Sequence, residues 1–229
     1  MRQEKTTVTA KFQELFYDRQ RRCFINGIAS ISQSEPHNFL PPDDLENREP
    51  AITAHPSILA AAAGIVPEDI REELTEKLLS AAKNREIQPY FTNYLLEGIF
   101  NDIGTFDRLA PELFELYVKL MESHPDSLRE SWNGGDYCHA WSGAPAIWFG
   151  KALLGVQPVK PGFAGFLVRP VPGRCRRAAG EVATPAGKIT VKWEICGTKS
   201  KLFVRYPGKL KFTADTKLLP DCAVETETF

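Results

Sequence analysis

Between Ser127 and Pro145 the chain reads SLRESWNGGDYCHAWSGAP, and this stretch holds the side chains best suited to chemistry. Glu130 is a carboxylate set among aromatics, where burial and neighbouring charge can tune a pKa for acid or base work. Its position, following HPDSLR, also suits a surface glutamate at a helix end. Trp132, Tyr137 and Trp141 offer the flat apolar faces on which sugar rings stack, or they plug gaps between helices. His139 can donate to hydroxyl groups or serve a structural bond. Cys138 is expected to be a small buried residue. Sequence neighbours seldom converge, so Cys138 and His139 do not make a nucleophile pair. Outside this stretch, His55 in TAHPSIL can cap a helix or line the same cavity, and Tyr90 with Phe91 adds another aromatic edge. The acidic run DIREE, Asp69 to Glu73, is assigned no function. No Gly-rich phosphate loop, HExxH motif or metal-ligand spacing is present, so neither cofactor nor metal is expected.

The elements that must position these residues change character along the 229-residue chain. The first part reads as short helices. Phe12, Leu15 and Phe16 lie at helical spacing, before an extended piece that ends at Asn26-Gly27. Residues 31–50 are polar and proline-rich and read as a loop. HPSILAAAAGI closes at Gly64, and Pro67 opens a helix with Ile70, Leu74, Leu78 and Ala82 on one face. Phe91, Tyr94, Leu95 and Gly98 share a side of the next helix, and Leu113, Leu116, Tyr117 and Leu120 share a side of the one after. APAIWFGKALLGV forms one more apolar helix, ending at Gly155. Short helices with short connectors fit stacked hairpins.

After GVQPVKPGF the period falls to two. In KITVKWEI, Ile189, Val191, Trp193 and Ile195 stand opposite Lys188, Thr190, Lys192 and Glu194. KLFVRY and KLKF repeat the alternation, with TPAG, CGTKS and YPGK as turns, which predicts an antiparallel β domain. The expected division is 1–157, helical, and 158–229, β.

Charge follows the same division. Residues 1–159 hold 15 Lys/Arg against 23 Asp/Glu, and residues 160–229 hold 13 against 6. The basic residues of the second part alternate with apolar ones, as on a solvated strand face. The overall net charge of -1 points to no nucleic-acid or membrane partner. No apolar run is long enough to span a bilayer, and MRQEKTTVTAKFQELF lacks the core of a signal peptide. Five cysteines, scattered and never as CxxC, fit a reducing, cytoplasmic setting.

Four stretches, in order, resemble one family, the bacterial-type α-L-rhamnosidases, which are inverting glycoside hydrolases. They are ITAHPSILAAAAGIVPED, QPYFTNYLLEGIF, SLRESWNGGDYCHAWSGAP, and LLGVQPVKPGFAGFLVRPVPG running on to GEVATPAGKITVKWE. The resemblance covers roughly residues 8–215. It implies an α+β multidomain chain, a partial (α/α) helical-hairpin toroid followed by an antiparallel β-sandwich, acting on a rhamnose-containing glycoside. It implies Glu130 as general base, activating water on the face opposite the leaving group. His139 is implied to contact the bound sugar, with Trp132, Trp141, His55 and Tyr90 as lining. Two departures stand out. Arg129 occupies the place of an aromatic, and the D-E-R-x-x-W segment that carries the family's general acid is absent. The expectation is a piece of a larger enzyme, inactive without its N-terminal half. Two other readings remain: a non-catalytic carbohydrate-binding or assembly module, and a helical-toroid glycosidase for another sugar.

Overall fold

The computed structural model describes residues 2–26, 52–123, 125–134 and 137–229. The loop expected at 31–50 lies outside these residues. The chain divides into two compact units, Met1–Asn101 with Ser131–Asn133, and Asp102–Glu130 with Gly134–Phe229.

The first unit is helical. α1 (Arg2–Phe16) runs into a small hairpin, β1 (Tyr17–Asp18) with β2 (Cys23–Phe24), whose Phe24 is completely buried. The rings of Phe12, Tyr17 and Phe24 pack together, with centroids 5.3–5.9 Å from Phe24. The Phe24 N–H donates to the buried Ser57 Oγ at 3.0 Å, fastening the hairpin to α2 (Ala54–Ala62). Arg22 reaches Glu73 Oε2 at 2.8 Å and the Asp69 carbonyl at 3.1 Å, so the DIREE run pairs with the hairpin in an exposed contact. α3 (Arg71–Lys83) buries Leu74, Leu78 and Ala82, with Ile70 just ahead of it, as the spacing predicts.

α4 (Pro89–Phe100) starts with proline in its first turn, where the missing N–H has no helical partner to lose. It packs chiefly on α2 because both present small residues at the contact. A Cβ at Gly98 would stand 2.8 Å from the Ala61 Cβ. Asn101 Nδ2 donates to the Ala61 carbonyl at 2.9 Å and satisfies the end of α2.

The second unit opens with α5 (Ile103–Ser123), whose first turn is capped by Asp102 Oδ1 accepting the Thr105 N–H at 2.9 Å. Leu113, Tyr117 and Leu120 of α5 are buried, while Leu116 is half-buried. Trp148 is 1% exposed and lies 5.0 Å from Phe106. The apolar helix expected after the loop is brief. α6 (Ala144–Trp148) passes into a π-type turn, Phe149–Leu153, and stops at Gly155. There φ is +78°, and a Cβ would lie 2.2 Å from the Arg169 carbonyl carbon, so only glycine fits.

Seven strands follow, in two sheets. β3 (Val156–Pro158), β4 (Gly165–Val168) and β8 (Lys211–Ala214) form one, in that order. β5 (Arg177–Thr184), β6 (Gly187–Cys196), β7 (Lys199–Tyr206) and β9 (Cys222–Thr228) form the other. Their common core holds Phe166, Val168, Ile189, Val191, Trp193, Leu202 and Val204. The alternation read in KITVKWEI puts Ile189, Val191 and Trp193 at 0–2% exposure while Ile195 is half-buried.

The antiparallel expectation needs correction. β3–β4, β5–β6 and β6–β7 are antiparallel, but β4–β8 and β7–β9 are parallel, so both sheets are mixed. The cause is connectivity. After β7 the chain crosses to the other sheet for β8 and returns for β9, and a strand that returns through another sheet is free of the hairpin reversal.

Candidate functional site

The Ser127–Pro145 stretch is divided between the two units, and each part is built separately. In the second unit, the backbone around Leu128 and Arg129 is tied to the stretch 139–142. The His139 N–H donates to the Leu128 carbonyl at 2.9 Å, and Ser142 Oγ donates to the Arg129 carbonyl at 2.7 Å. Ser142 is fully buried, and its N–H donates to the His139 carbonyl at 3.0 Å. These bonds bring the Glu130 segment against the His139 segment. Glu130 itself is half-buried.

Aromatic faces surround this tie. The His139 and Trp141 rings lie 4.7 Å apart, inclined at 50°, and Trp141 is 53% exposed. The Arg129 guanidinium sits 4.6 Å above the Tyr137 ring and donates to its hydroxyl at 2.7 Å. Tyr137 is 62% exposed. Arg129 thus holds an exposed aromatic by a cation–π contact as well as a hydrogen bond. Cys138 is exposed at φ +67°, not buried as expected. Its left-handed backbone turns the side chain outward while its neighbours make the contacts.

In the first unit, Trp132 is 9% exposed, and its indole N–H donates to the Ile87 carbonyl at 2.6 Å. Its backbone N–H donates to Gln88 Oε1 at 3.3 Å, and Arg85 hydrogen-bonds the neighbouring Asn133. The ring fills the space before α4, so its polar atom is committed to the fold. His55 and Tyr90 belong to one aromatic cluster. His55 meets the edge of Phe91 at 4.4 Å, and its Nδ1 lies 3.2 Å from Thr53 Oγ1 at the start of α2. Burial pushes the His55 imidazole below its usual pKa and favours the neutral ring. Tyr90 and Tyr94 join hydroxyls at 3.1 Å, which raises the Tyr90 phenol pKa.

Three participants escaped the sequence reading: Arg129 as a cation on Tyr137, Ser142 as the buried tie, and Tyr94 as the partner of Tyr90. Only Tyr94 carried a sequence signal, being one helical turn from Tyr90. Among the described residues, no group of three His, Cys, Asp or Glu side chains is placed to hold a metal ion. None of the described helices is long and apolar enough to cross a membrane.

Residues 155–217 match the family model for the bacterial alpha-L-rhamnosidase C-terminal domain. No curated protein sequence matches the chain. Among solved structures, the fold is similar to a GH78 family rhamnosidase of Bacillus sp. GL1, with a TM-score of 0.74 and 19% identity over 97% of this chain. It is also similar to an alpha-L-rhamnosidase of Dictyoglumus thermophilum, with a TM-score of 0.59 and 19% identity over 71%. A Streptomyces avermitilis alpha-L-rhamnosidase complexed with L-rhamnose aligns over 63%, with a TM-score of 0.51 and 17% identity. The class so defined is an α+β fold of the kind seen in these rhamnosidases. More narrowly, residues 155–217 match the bacterial alpha-L-rhamnosidase C-terminal domain, and at 17–19% identity the likeness of the rest is one of fold. The chain spans 23%, 20% and 16% of those three proteins, respectively.

Proposed function

We propose that this chain supplies the base side of an inverting glycoside hydrolase that removes terminal α-L-rhamnose from glycosides. In this reading residues 1–157 are the later hairpins of a helical toroid and residues 158–229 a terminal β-sandwich. Glu130 is the general base that activates water. His139 and Trp141 contact the sugar, through hydroxyl hydrogen bonds and ring stacking respectively. On the first unit, His55, Tyr90 and Trp132 are assigned substrate contacts of their own. The general acid comes from residues outside this chain, so the isolated chain binds sugar without turning it over.

The observation that carries the reading is the double tie between the Leu128–Arg129 backbone and residues 139–142, which holds a half-buried carboxylate's segment beside a histidine and an exposed indole. An inverting base needs such a fixed carboxylate with room for one water. The fold likeness to rhamnosidases over 97% of the chain supports it. The test is Glu130→Gln in this chain joined to the upstream part of a rhamnosidase. Loss of a general base predicts turnover of an aryl α-L-rhamnoside reduced about 10²–10⁴-fold with rhamnose affinity kept. Unchanged turnover would remove Glu130 from the mechanism. Family-like hydrolysis by the isolated chain would show that the acid is not missing.

A non-catalytic carbohydrate-binding role is the second reading, favoured by the two exposed rings, Tyr137 and Trp141, flanking His139. It predicts sugar binding by the joined protein that is indifferent to Glu130→Gln, with no turnover in either form.

A further inference from the structure

The solvent side of the four-stranded sheet departs from an ordinary charged face. Alternation assigns its residues, and the register sets them in rows. Ala179, Lys192, Phe203 and Glu225 lie side by side across β5, β6, β7 and β9, a span of about 14 Å at normal strand spacing. The next row toward one end is Arg177, Glu194 and Lys201, and toward the other Glu181, Thr190, Arg205 and Glu227. Two adjoining depressions of about 490 and 530 Å³ open on this face, and both are lined by Ala179, Lys192 and Phe203. The short side chain of Ala179 leaves the hollow, and Phe203 is a half-buried aromatic amid charges.

The charges sort into two groups. Lys188 with Glu181, and Arg205 with Glu227, form ion pairs at 2.7 and 3.1 Å. Arg177, Lys192 and Lys201 line the first depression, and among the described residues none of them forms an ion pair with a carboxylate. Glu194 and Glu225 line that same depression. The first depression therefore carries three cations, Arg177, Lys192 and Lys201, against two carboxylates, Glu194 and Glu225, a net of +1.

We propose that this face is a binding site for a carboxylated oligosaccharide, a glycan containing uronic acid. Each group has a matching role. Arg177, Lys192 and Lys201 pair with the sugar carboxylates as charge-assisted donors. Glu194 and Glu225 accept hydrogen bonds from ring hydroxyls. Phe203 packs against the C–H face of one sugar ring. The two glutamates decide against the other polyanion that basic, aromatic surfaces take. A nucleic acid offers closely spaced phosphates that carboxylates repel, and few hydroxyls for them to accept from. The site lies wholly within the second unit and does not rest on the hydrolytic reading.

The test is affinity electrophoresis of the 229-residue chain in gels cast with polygalacturonate, with neutral galactan, or with neither. The expected result is retardation by polygalacturonate alone, weakened by salt. Phe203→Ala should weaken it about tenfold, in line with the loss of one stacking contact. Lys192→Ala/Lys201→Ala should weaken it further and flatten the salt dependence, while Glu72→Gln, an exposed change on α3, leaves it unchanged. Circular dichroism checks each fold. Should Phe203→Ala unfold, the double lysine variant carries the test, since both side chains are exposed. No retardation by polygalacturonate, equal retardation by galactan, tighter binding of single-stranded DNA, or unchanged affinity in the folded variants would each overturn the proposal.

Discussion

Gly98 tests the packing of the first unit most directly. In a helix interior, replacing glycine by alanine ordinarily stabilises by about 0.8–1 kcal/mol, because alanine loses less backbone freedom. At Gly98 the new Cβ would stand 2.8 Å from the Ala61 Cβ and 3.2 Å from both the Ala61 carbonyl carbon and the Ala62 nitrogen. Those last two atoms are helix backbone and cannot rotate away, so α4 must move off α2. Overpacking of this kind costs about 1–3 kcal/mol. Set against the propensity gain, Gly98→Ala should lose about 1 kcal/mol, the opposite sign to the ordinary case. Urea unfolding followed by circular dichroism measures it as a lower midpoint with an unchanged slope. Gly98→Ala combined with Ala61→Gly removes the Cβ–Cβ collision and should be less destabilised than two independent changes would predict. The shift should also widen the His55–Phe91 contact, now 4.4 Å, since those residues ride on the two helices. If Gly98→Ala unfolds at the same or a higher urea concentration, close packing of α2 on α4 is not what selects glycine there.

Gly155→Ala should be far more damaging, because it combines φ of +78° with a backbone atom 2.2 Å from the new Cβ, and soluble yield or thermal melting will show it. Trp132→Phe puts a smaller phenyl ring in place of the indole and removes the N–H that the Ile87 carbonyl accepts, and should cost about 1–3 kcal/mol or more, read as a lower urea midpoint. His55 makes stability depend on pH. Its pKa is lowered in the folded chain, so the unfolded chain takes up a proton first as pH falls through about 6.5. Stability contributed by neutral His55 is therefore complete above that pH and lost as pH falls toward the folded value. His55→Phe should remove that part of the difference between urea midpoints at pH 7.5 and 5.5.

What could be read from sequence and what could not follow from the range of the interactions. The faces of α3 and β6 were legible because burial acts residue by residue along a fixed period, and Ile70, Leu74, Leu78, Ile189, Val191 and Trp193 are buried accordingly. The tight turns were legible for the same local reason. Pro185-Ala186 and Gly197-Thr198 are two-residue loops between registered strands, with Gly197 at φ +62°. The parallel pairings of β4 with β8 and β7 with β9 were not legible, since no local pattern records which sheet a strand joins. Nor was the fit of Gly98 against Ala61, 37 positions earlier in the chain. Among the candidate residues, type alone singled out Glu130 and His139 in the second unit and His55 and Tyr90 in the first. The pairing of Arg129 with Tyr137 and the buried tie through Ser142 depend on how one loop folds back on another.

The route of the chain through the two sheets also has a kinetic meaning. β5, β6 and β7 are joined by two-residue turns, so they can zip as successive hairpins with little loop closure. β9 cannot extend that process. It reaches β7 only after the intervening segment has crossed to the other sheet as β8 and come back. The order of assembly is thereby written into connectivity, with a fast local meander first and the slower long-range pairing of β8 and β9 to finish both sheets. Until that last step, the β7 edge that Val224 and its neighbours cover would stand open to any extended strand it met.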